Sequence, residues 1–310
     1  MSVFVNVNGQ IADGAHATIS VFDHGFLYGE GVYETVRTYN AEPFLFDRHM
    51  TRLRASAAMI MLDVPLSDEQ YLQRSLDTMK AAGLGRAPDG SIKEAYVRIL
   101  HTRGIGDLTY DPAATPQPSV VVIVKSLPVT PDEQYQNGVK VCMVDIIRNH
   151  PKSVNPLIKS NNLLNNALCM QQAMRKGGVE GVFRNYRGEL SECSQSNLFI
   201  VKNGVVRTPP LDAGLLAGIT RAFVFEIGDE AGVKVEEAML QDDDLFRADE
   251  AFFTSSTKEL MPIVEVDDRT IGRGTPGAVT QKLLETFRRR AHELTARPDG
   301  ARRSAVNVPT

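Results

Sequence analysis

Short strand-like segments alternate with helix-like segments along most of this chain, and that alternation limits the fold to the mixed α/β class. Apolar residues two apart predict the strands, whereas apolar residues three and four apart, such as Met50, Leu53 and Ala57, predict the helices. The predicted strands cover residues 3–7, 32–39, 44–46, 92–100, 120–124, 139–147, 181–184, 197–201, 205–208, 233–238 and 251–254. The predicted helices cover a segment that starts at Asp47 as its cap and the segments 67–82, 161–175, 218–230 and 280–294.

A polar stretch punctuated by two prolines, residues 126–133, marks the boundary between two predicted domains. A chain of 310 residues is long enough for two domains, each with its own core. We therefore predict a small N-terminal α/β domain over residues 1–126, a linker over 127–137, a larger domain over 138–295 and a flexible tail over 296–310.

Composition argues against several classes of function. The net charge of −4 gives no basic surface for nucleic acid, and three cysteines without a CxxC pair indicate neither a disulfide framework nor a zinc site. The six histidines show no metal-ligand spacing, so we expect no metal. The most apolar run, 120–124, is too short to span a membrane, and no signal-peptide pattern opens the chain, so we expect a cytoplasmic protein. A GxGxxG stretch at 272–277 lacks the acidic partner of a dinucleotide site and is interpreted as a turn.

Lys159 and Glu192 are the two residues whose surroundings indicate chemistry. Lys159 follows an apolar residue and is expected where a helix begins, a position that disfavours positive charge and makes an amine a better nucleophile. A surface lysine whose amine reaches solvent is the alternative interpretation. Glu192 lies in a run of small polar residues whose hydroxyl and backbone groups can orient a carboxylate; a solvated acid in a hairpin is the alternative.

Two further stretches have the character of anion sites. Gly218, Ile219 and Thr220 open a predicted helix, where free N–H groups and a hydroxyl can bind phosphate, although an ordinary helix cap fits the same residues. The run 254–257 ends a strand in four hydroxyl side chains. An amine nucleophile, an acid for a ring nitrogen and two phosphate sites are together what pyridoxal phosphate requires.

In their order along the chain, these features resemble the fold-type IV, or class IV, pyridoxal-phosphate aminotransferases. The resemblance extends from about Phe4 to Arg288, and its most specific stretches are GELSECSQSNLFIV (188–201) and GLLAGITR (214–221). It implies a small N-terminal α/β domain and a larger pseudo-barrel domain, with the cofactor between them. It also implies a homodimer or higher oligomer, in which a neighbouring subunit completes the substrate pocket.

The resemblance also assigns the cofactor contacts. It implies that Lys159 is the catalytic lysine that forms a Schiff base with pyridoxal phosphate, and that Glu192 is the partner of the pyridine nitrogen. The remaining cofactor-binding residues that it implies are Arg52, Ile219, Thr220 and Ser256 at the phosphate and Leu216 against the ring.

The expected substrates follow from the segments 21–29, 96–100 and 102–108, which are similar to prokaryotic branched-chain aminotransferases. The substrate-binding residues implied are Tyr96 at the α-carboxylate, Arg98 with a neighbouring subunit's Tyr28 at the distal carboxylate of glutamate, Tyr33 as an apolar wall, and Thr35 and Thr257. The expected reaction is a ping-pong transfer of the amino group of leucine, isoleucine or valine to 2-oxoglutarate. We expect small-molecule substrates as partners, with neither nucleic acid nor membrane.

Two departures from the branched-chain pattern leave other family members open. Leu164 stands where most branched-chain enzymes have a tyrosine, and Thr35 replaces the glycine of their FEG motif. A D-amino acid or (R)-amine transaminase is the first alternative, and an aminodeoxychorismate lyase is the second. A pyridoxal-phosphate-binding protein without catalysis is a hypothesis from a different class, which the presence of Lys159, Glu192 and Arg52 together disfavours.

Overall fold

The computed structural model describes residues 3–296, which form two compact units. Within this range the first unit comprises residues 3–128, 158–162 and 291–296, and the second comprises 129–157 and 163–290. After leaving the first unit at residue 128, the chain therefore returns to it twice, at 158–162 and at 291–296. Beyond Ala296, the predicted tail lies outside the described residues.

Among the described residues, the first unit contains eight strands and three helices. The strands are β1 (Phe4–Val7), β2 (Gln10–Asp13), β3 (Gly31–Tyr39), β4 (Glu42–Pro43), β5 (Gly85–Arg86), β6 (Ile92–Lys93), β7 (Ala95–Thr102) and β8 (Ser119–Ser126). The helices are α1 (His24–Leu27), α2 (Phe46–Met59) and α3 (Asp68–Ala81), and a 3₁₀ turn covers Pro112–Ala114.

Six of these strands form one antiparallel sheet in the order β2-β1-β8-β7-β3-β4, while β5 pairs with β6. Helix α2 packs against β3 and α3 packs against β8, over a core that includes Val32, Val97 and Val122. Because side chains alternate along a strand, the intervening residues face the other way and are half-buried. This second face of β3, β7 and β8, called the open face below, consists of Tyr33, Thr35, Arg37, Tyr96, Arg98, Leu100, Val121, Ile123 and Lys125.

The second unit contains the remaining elements. Its strands are β9 (Val139–Met143), β10 (Gly181–Arg184), β11 (Leu190–Cys193), β12 (Asn197–Lys202), β13 (Val205–Thr208), β14 (Val235–Glu237), β15 (Glu250–Ser255), β16 (Glu259–Val266) and β17 (Arg269–Thr270). Its helices are α4 (Asp132–Asn137), α5 (Leu164–Arg175), α6 (Ile219–Glu230), α7 (Asp242–Phe246) and α8 (Ala278–Leu294), whose last turn belongs to the first unit.

A mixed nine-stranded sheet organises the second unit. Its order is β11-β10-β9-β16-β15-β12-β13-β14, with β17 paired to β16, and the β9–β10, β9–β16 and β13–β14 pairs are parallel. Helix α5 packs against β10 and α6 against β15. The stacked rings of Phe199 and Phe252 join β12 to β15 in the interior, with their centroids 4.8 Å apart.

The predicted mixed α/β class is confirmed, as is the helix at 67–82, which begins with a capping box between Ser67 and Gln70. The predicted cap Asp47 is wrong. Leu45 precedes α2 with a left-handed backbone (φ 52°), because the chain turns sharply out of β4, and Asp47 lies inside the first turn. The stretch 272–277 is a turn before α8, as interpreted.

Other predicted elements differ from the structure. The strand predicted over 44–46 is absent, because residues 44 and 45 form the turn into α2, and the strand predicted over 233–238 covers only Val235–Glu237. The strand predicted over 139–147 ends at Met143, and the helix predicted over 161–175 begins at Leu164. The helix starts late because Ser160 and Asn161 pair with β3 in extended conformation. Helix α4 occupies the second half of the predicted linker.

Within the described residues, no helix combines the length and apolarity that crossing a bilayer requires. Cys142, Cys169 and Cys193 are buried and unbridged. Residues 3–296 contain no group of three side chains placed to hold a metal ion.

Candidate active site

Lys159 lies in a five-residue segment, 158–162, that pairs with β3 along one edge of that strand. Tyr33 N donates to Lys159 O (2.9 Å), Asn161 N donates to Gly31 O (2.8 Å), and Lys159 N donates to the hydroxyl of Ser56 (3.1 Å). These three backbone hydrogen bonds fix the main chain of the lysine on both sides. Its half-buried side chain is therefore presented from a rigid strand-like support.

The expected position of Lys159 at the start of a helix is wrong. The helix begins five residues later, at Leu164, so Lys159 does not belong to its first turn. Instead, Lys159 Nζ lies 4.6 Å from the centre of the Tyr33 ring. The residue Leu164 is itself 66% exposed, so it is not part of a buried contact among the described residues.

Arg52 is held by a buried carboxylate. Its Nε and Nη2 each donate to one oxygen of Glu34 at 2.7 Å, which is the two-point geometry of a strong guanidinium–carboxylate pair. His49 Nδ1 lies 2.6 Å from the second oxygen of the same carboxylate. Glu34 is fully buried on β3, while Arg52 and His49 come from α2, so the cluster joins that helix to the sheet.

This cluster changes the ionisation of its members. Burial raises the pKa of Glu34, but the charges of Arg52 and His49 and their hydrogen bonds outweigh it and lower the pKa from 4.5 to about 2. Burial lowers the pKa of His49; attraction to Glu34 opposes this, and repulsion from Arg52 and Lys159 adds to it. The cluster therefore holds a carboxylate, a guanidinium and an imidazole that resists protonation.

Four of the predicted substrate residues lie together on the open face. Tyr33 and Thr35 come from β3, and Tyr96 and Arg98 come from β7, with Thr35 directly opposite Arg98. The guanidinium of Arg98 lies 4.1 Å from the centre of the Tyr33 ring, the same ring that Lys159 contacts. The amine of Lys159 and the guanidinium of Arg98 thus share one aromatic neighbour.

The fifth, Tyr28, lies apart from the open face at the end of α1. Its ring contacts Tyr110, with centroids 5.0 Å apart, and the edge of His24. His24 Nε2 lies 2.9 Å from Asp107 O, so α1 is tied to the loop that carries Tyr110.

Glu192 is buried in the second unit, with 4% of its surface exposed. Arg148 Nε donates to one oxygen of its carboxylate at 2.7 Å. The backbone N–H of Leu216 donates to the other oxygen at 3.1 Å, and Asn197 Nδ2 approaches it at 3.4 Å. The solvated-hairpin interpretation is therefore wrong, because the carboxylate is buried and oriented from three directions.

Helix α6 begins beside this carboxylate. Gly218 is its N-cap, and no side chain caps the helix, so its first N–H groups are available to an anion. A Cβ at position 218 would lie 1.9 Å from Asn197 Oδ1, which explains the glycine. Ile219 and Thr220 form the first turn and are buried.

The predicted hydroxyl run lies where β15 turns into β16. Ser255 Oγ accepts the backbone N–H of Lys258 at 3.1 Å, which closes the turn and leaves Ser256 and Thr257 half-buried within it. Thr254 Oγ1 is buried and has no hydrogen-bond partner in the described residues. A bound group that accepts a hydrogen bond would satisfy this hydroxyl.

Sequence reasoning missed three residues of these clusters. Glu34 and His49 share a charge cluster with Arg52, and Arg148 pairs with Glu192 over 44 positions of sequence. The available signals were weak: Glu34 interrupts the apolar side of a strand, and Arg148 follows the predicted strand 139–147.

Comparisons with known proteins show which family the chain is similar to. Residues 31–266 match the family described as amino-transferase class IV. A Methanocaldococcus jannaschii protein provisionally named a branched-chain-amino-acid aminotransferase is 36% identical over 284 residues, covering 92% of this chain and 95% of that protein. The D-alanine aminotransferase of Bacillus licheniformis is 31% identical over 277 residues, with 89% and 93% coverage.

A solved structure is similar over almost the full length. The branched-chain amino acid aminotransferase of T.th., solved with pyridoxamine 5′-phosphate, has a TM-score of 0.87 and 26% identity, covering 97% of each chain. The mixed α/β fold therefore corresponds to that of a branched-chain aminotransferase.

Proposed function

The chain belongs to the class IV aminotransferases, a family that depends on pyridoxal phosphate, and from this premise we propose that it transfers the amino group of branched-chain L-amino acids to 2-oxoglutarate by a ping-pong mechanism. One observation carries the proposal: Lys159 Nζ and the Arg98 guanidinium contact the same Tyr33 ring. The ring offers an apolar wall to a branched side chain, and Arg98 beside it offers a cation to the distal carboxylate of glutamate. Two kinds of substrate can thus use one pocket.

The described residues fit pyridoxal phosphate. Glu192 is a buried, oriented carboxylate for a ring nitrogen, and the uncapped start of α6 suits a phosphate. The unpaired hydroxyl of Thr254 lies in the strand that leads to the hydroxyl turn. When bound, the cofactor supplies an electron sink for the charge that develops on the substrate carbon.

We assign the cofactor-holding roles by the family resemblance. Lys159 is the covalent attachment point, Glu192 faces the ring nitrogen and Leu216 packs against the ring. The phosphate is held by Arg52, Ile219, Thr220 and Ser256. Glu34 orients Arg52 by its two hydrogen bonds, and Arg148 orients Glu192.

In catalysis, Lys159 moves a proton at the substrate Cα, because it is the amine whose main chain is held at a fixed position beside the open face. Tyr96 and Arg98 bind the carboxylates of the substrate, and Thr35 shapes the wall next to Arg98. Thr257 is a further substrate contact that the family resemblance implies. A D-amino acid donor is the second candidate, because the D-alanine aminotransferase of B. licheniformis also aligns with almost the whole chain.

A homodimer completes this proposal. The segments 19–28 and 104–110 are joined by a bridge between Asp23 and Ile105 and by the hydrogen bond from His24 N to Gly104 O (2.8 Å). Together they expose a cluster of large apolar side chains, called the apolar patch: Val21, Phe22, Phe26, Ile105, Leu108 and Tyr110. Contiguous exposed apolar surface is typical of an interface between chains. In the proposed homodimer, each copy brings its Tyr28 to the substrate pocket of the other. We place this enzyme in the cytoplasm.

A half-reaction screen tests the donor. The purified yellow enzyme is mixed in turn with L-leucine, L-glutamate, D-alanine and (R)-1-phenylethylamine, and the visible absorption of the bound cofactor is followed. We expect L-leucine and L-glutamate to bleach it. Bleaching by D-alanine without L-leucine would transfer the assignment to a D-amino acid transaminase.

The matched control for the screen is Lys159→Ala. This variant removes the amine but leaves the backbone hydrogen bonds to Ser56 and Tyr33 in place. With every donor, we expect the absorption of this variant to bleach more slowly than that of wild type. Undiminished bleaching would exclude Lys159 as the reacting residue.

A further inference from the structure

Thr254 is a buried residue whose hydroxyl the fold leaves without a hydrogen bond. Its side chain lies on β15 with 1% of its surface exposed, and its Oγ1 has no hydrogen-bond partner among the described residues. Thr208 of the same unit is equally buried, but its Oγ1 donates to Leu198 O at 2.8 Å. Burying a hydroxyl without a partner destabilises the folded protein, so most buried hydroxyls are paired. The unpaired hydroxyl of Thr254 therefore favours a ligand that accepts its hydrogen bond.

The register of the second sheet directs Thr254 towards the start of α6. Leu198 and Phe253 pack in the core of the second unit. Since side chains alternate along a strand, Asn197 and Thr254 face the other side of the sheet. Asn197 lies directly opposite Thr254, and its Oδ1 reaches the position that a Cβ of Gly218 would occupy. Because directly opposite residues have Cβ atoms about 4.5–5.5 Å apart, Thr254 lies beside the N-cap of α6.

The first turn of α6 presents backbone donors on this side of the sheet. Gly218 is the N-cap, no side chain among the described residues caps the helix, and Ile219 and Thr220 follow. The N–H groups of a first turn have no acceptor within the helix and carry the positive end of its dipole. A hydroxyl from the strand adds a donor to those of the helix. Donors that converge from two elements suit a phosphate, whose oxygens accept several hydrogen bonds at once.

The other members of this row of the sheet do not use the hydroxyl. The row consists of Asn197, Thr254 and Leu260, and Leu260 has no polar group in its side chain. Asn197 Nδ2 donates to Leu216 O at 3.0 Å and approaches the Glu192 carboxylate at 3.4 Å. The amide of Asn197 is thus turned towards the acid assigned to the ring nitrogen, while the hydroxyl of Thr254 lies beside the helix start.

We propose that Thr254 is an additional phosphate-binding residue, whose Oγ1–H donates to a phosphate oxygen of pyridoxal phosphate bound at the start of α6. The proposal deepens the proposed function and rests on it for the identity of the cofactor. It places a phosphate donor within β15, before the hydroxyl turn that the family resemblance assigns. The same hydroxyl destabilises the protein without cofactor and stabilises the complex, because only the bound phosphate accepts its hydrogen bond.

The test compares Thr254→Val, which keeps the shape of the side chain but removes the hydroxyl, with Thr254→Ser, which keeps the hydroxyl. Dissociation constants of pyridoxamine 5′-phosphate and of pyridoxamine are measured for the full-length apo-protein by equilibrium dialysis. Neither ligand has an aldehyde, so covalent attachment to Lys159 does not contribute. We expect Thr254→Val to weaken binding of pyridoxamine 5′-phosphate about tenfold, the size of one hydrogen bond to a charged group. Binding of pyridoxamine should stay within about twofold of wild type, and Thr254→Ser should bind both ligands within about threefold of wild type.

Thr208→Val is the matched control, because it removes a paired hydroxyl from an equally buried threonine of the same unit. Its cofactor affinity should be unchanged, and its apo-protein should melt about 2 °C or more below wild type, since a buried hydrogen bond is lost. Apo Thr254→Val should instead melt at or above the Tm of wild type.

Three results would overturn the assignment of Thr254. The first is an unchanged affinity of Thr254→Val for pyridoxamine 5′-phosphate, and the second is an equal loss of affinity for the two ligands. The third is a lowered Tm of apo Thr254→Val, which would show that the hydroxyl already has a partner within the protein. If wild type binds pyridoxamine 5′-phosphate but transaminates no amino acid, the proposed function fails, and the binding comparison still decides the role of Thr254.

Discussion

Replacing Glu34 with glutamine tests the charge cluster beneath the open face. The substitution keeps the shape of the side chain but removes the negative charge with which Arg52, whose side chain is 12% exposed, forms an ion pair. The lowering of the Glu34 pKa from 4.5 to about 2 corresponds to about 3 kcal/mol of stabilisation at neutral pH. Removing one partner of a buried ion pair costs a similar amount, about 3–5 kcal/mol. We therefore expect Glu34→Gln to lower the free energy of unfolding by about 3 kcal/mol at pH 7.

The same cluster gives this loss a defined pH dependence. Because the pKa of Glu34 is lower in the folded protein, its contribution is complete above the unfolded-state value of 4.5 and is lost as the pH falls towards 2. The difference in unfolding free energy between wild type and Glu34→Gln should narrow to about 1 kcal/mol at pH 3.

Urea unfolding followed by far-UV circular dichroism measures both effects, since the chain has no tryptophan to report by fluorescence. Glu285→Gln is the control, because Glu285 is exposed on α8 and its replacement should change stability by less than about 0.5 kcal/mol. A loss at pH 7 below about 1 kcal/mol, or a difference that stays constant from pH 7 to pH 3, would refute the role given to Glu34.

Four further substitutions probe the rest of the molecule. Arg52→Ala should weaken cofactor affinity by about tenfold or more in equilibrium dialysis, and an unchanged affinity would remove Arg52 from the phosphate site. Glu192→Gln should slow proton removal in single-turnover spectra while the cofactor stays bound; full activity would leave Glu192 a purely structural acid. Gly218→Ala, whose Cβ would meet Asn197 Oδ1 at 1.9 Å, should lower the free energy of unfolding by about 1–3 kcal/mol in urea, and an unchanged stability would show that this contact does not require glycine. Leu108→Asp should convert a dimer to monomers in sedimentation analysis, and a persistent dimer would place the interface elsewhere.

Local sequence was sufficient for features that neighbouring residues determine. The capping box of Ser67 and Gln70 is one such feature, since both partners lie within one turn. The start of α6 is another, because a helix start depends on the residues that flank it. The mixed α/β class follows for the same reason, from the alternation of two local periodicities.

Features set by distant residues could not be predicted in this way. Because Ser160 pairs with Val32, the helix begins three residues later than predicted, and no local pattern indicates this pairing. The pairing of Arg148 with Glu192 likewise depends on how the second sheet is assembled. Lys159 and Glu192 were singled out from sequence, but the surroundings expected for Lys159 proved different, because the lysine is supported by a strand edge instead of a helix start. Glu192 is oriented by a backbone N–H, as expected, and by Arg148 and Asn197 in place of hydroxyl groups.

The discontinuous make-up of the first unit has a consequence for its biosynthesis. Residues 158–162 supply hydrogen bonds to Gly31 and Tyr33, and the end of α8 supplies contacts from His292 and Thr295 to Asn40. The ribosome therefore finishes the unit that begins the chain only when almost the whole polypeptide has been made. A nascent chain or fragment that stops near residue 128 leaves exposed the edge of β3 with which residues 159–161 later pair. Limited proteolysis of stalled chains should accordingly show β3 protected only after residue 162 has emerged.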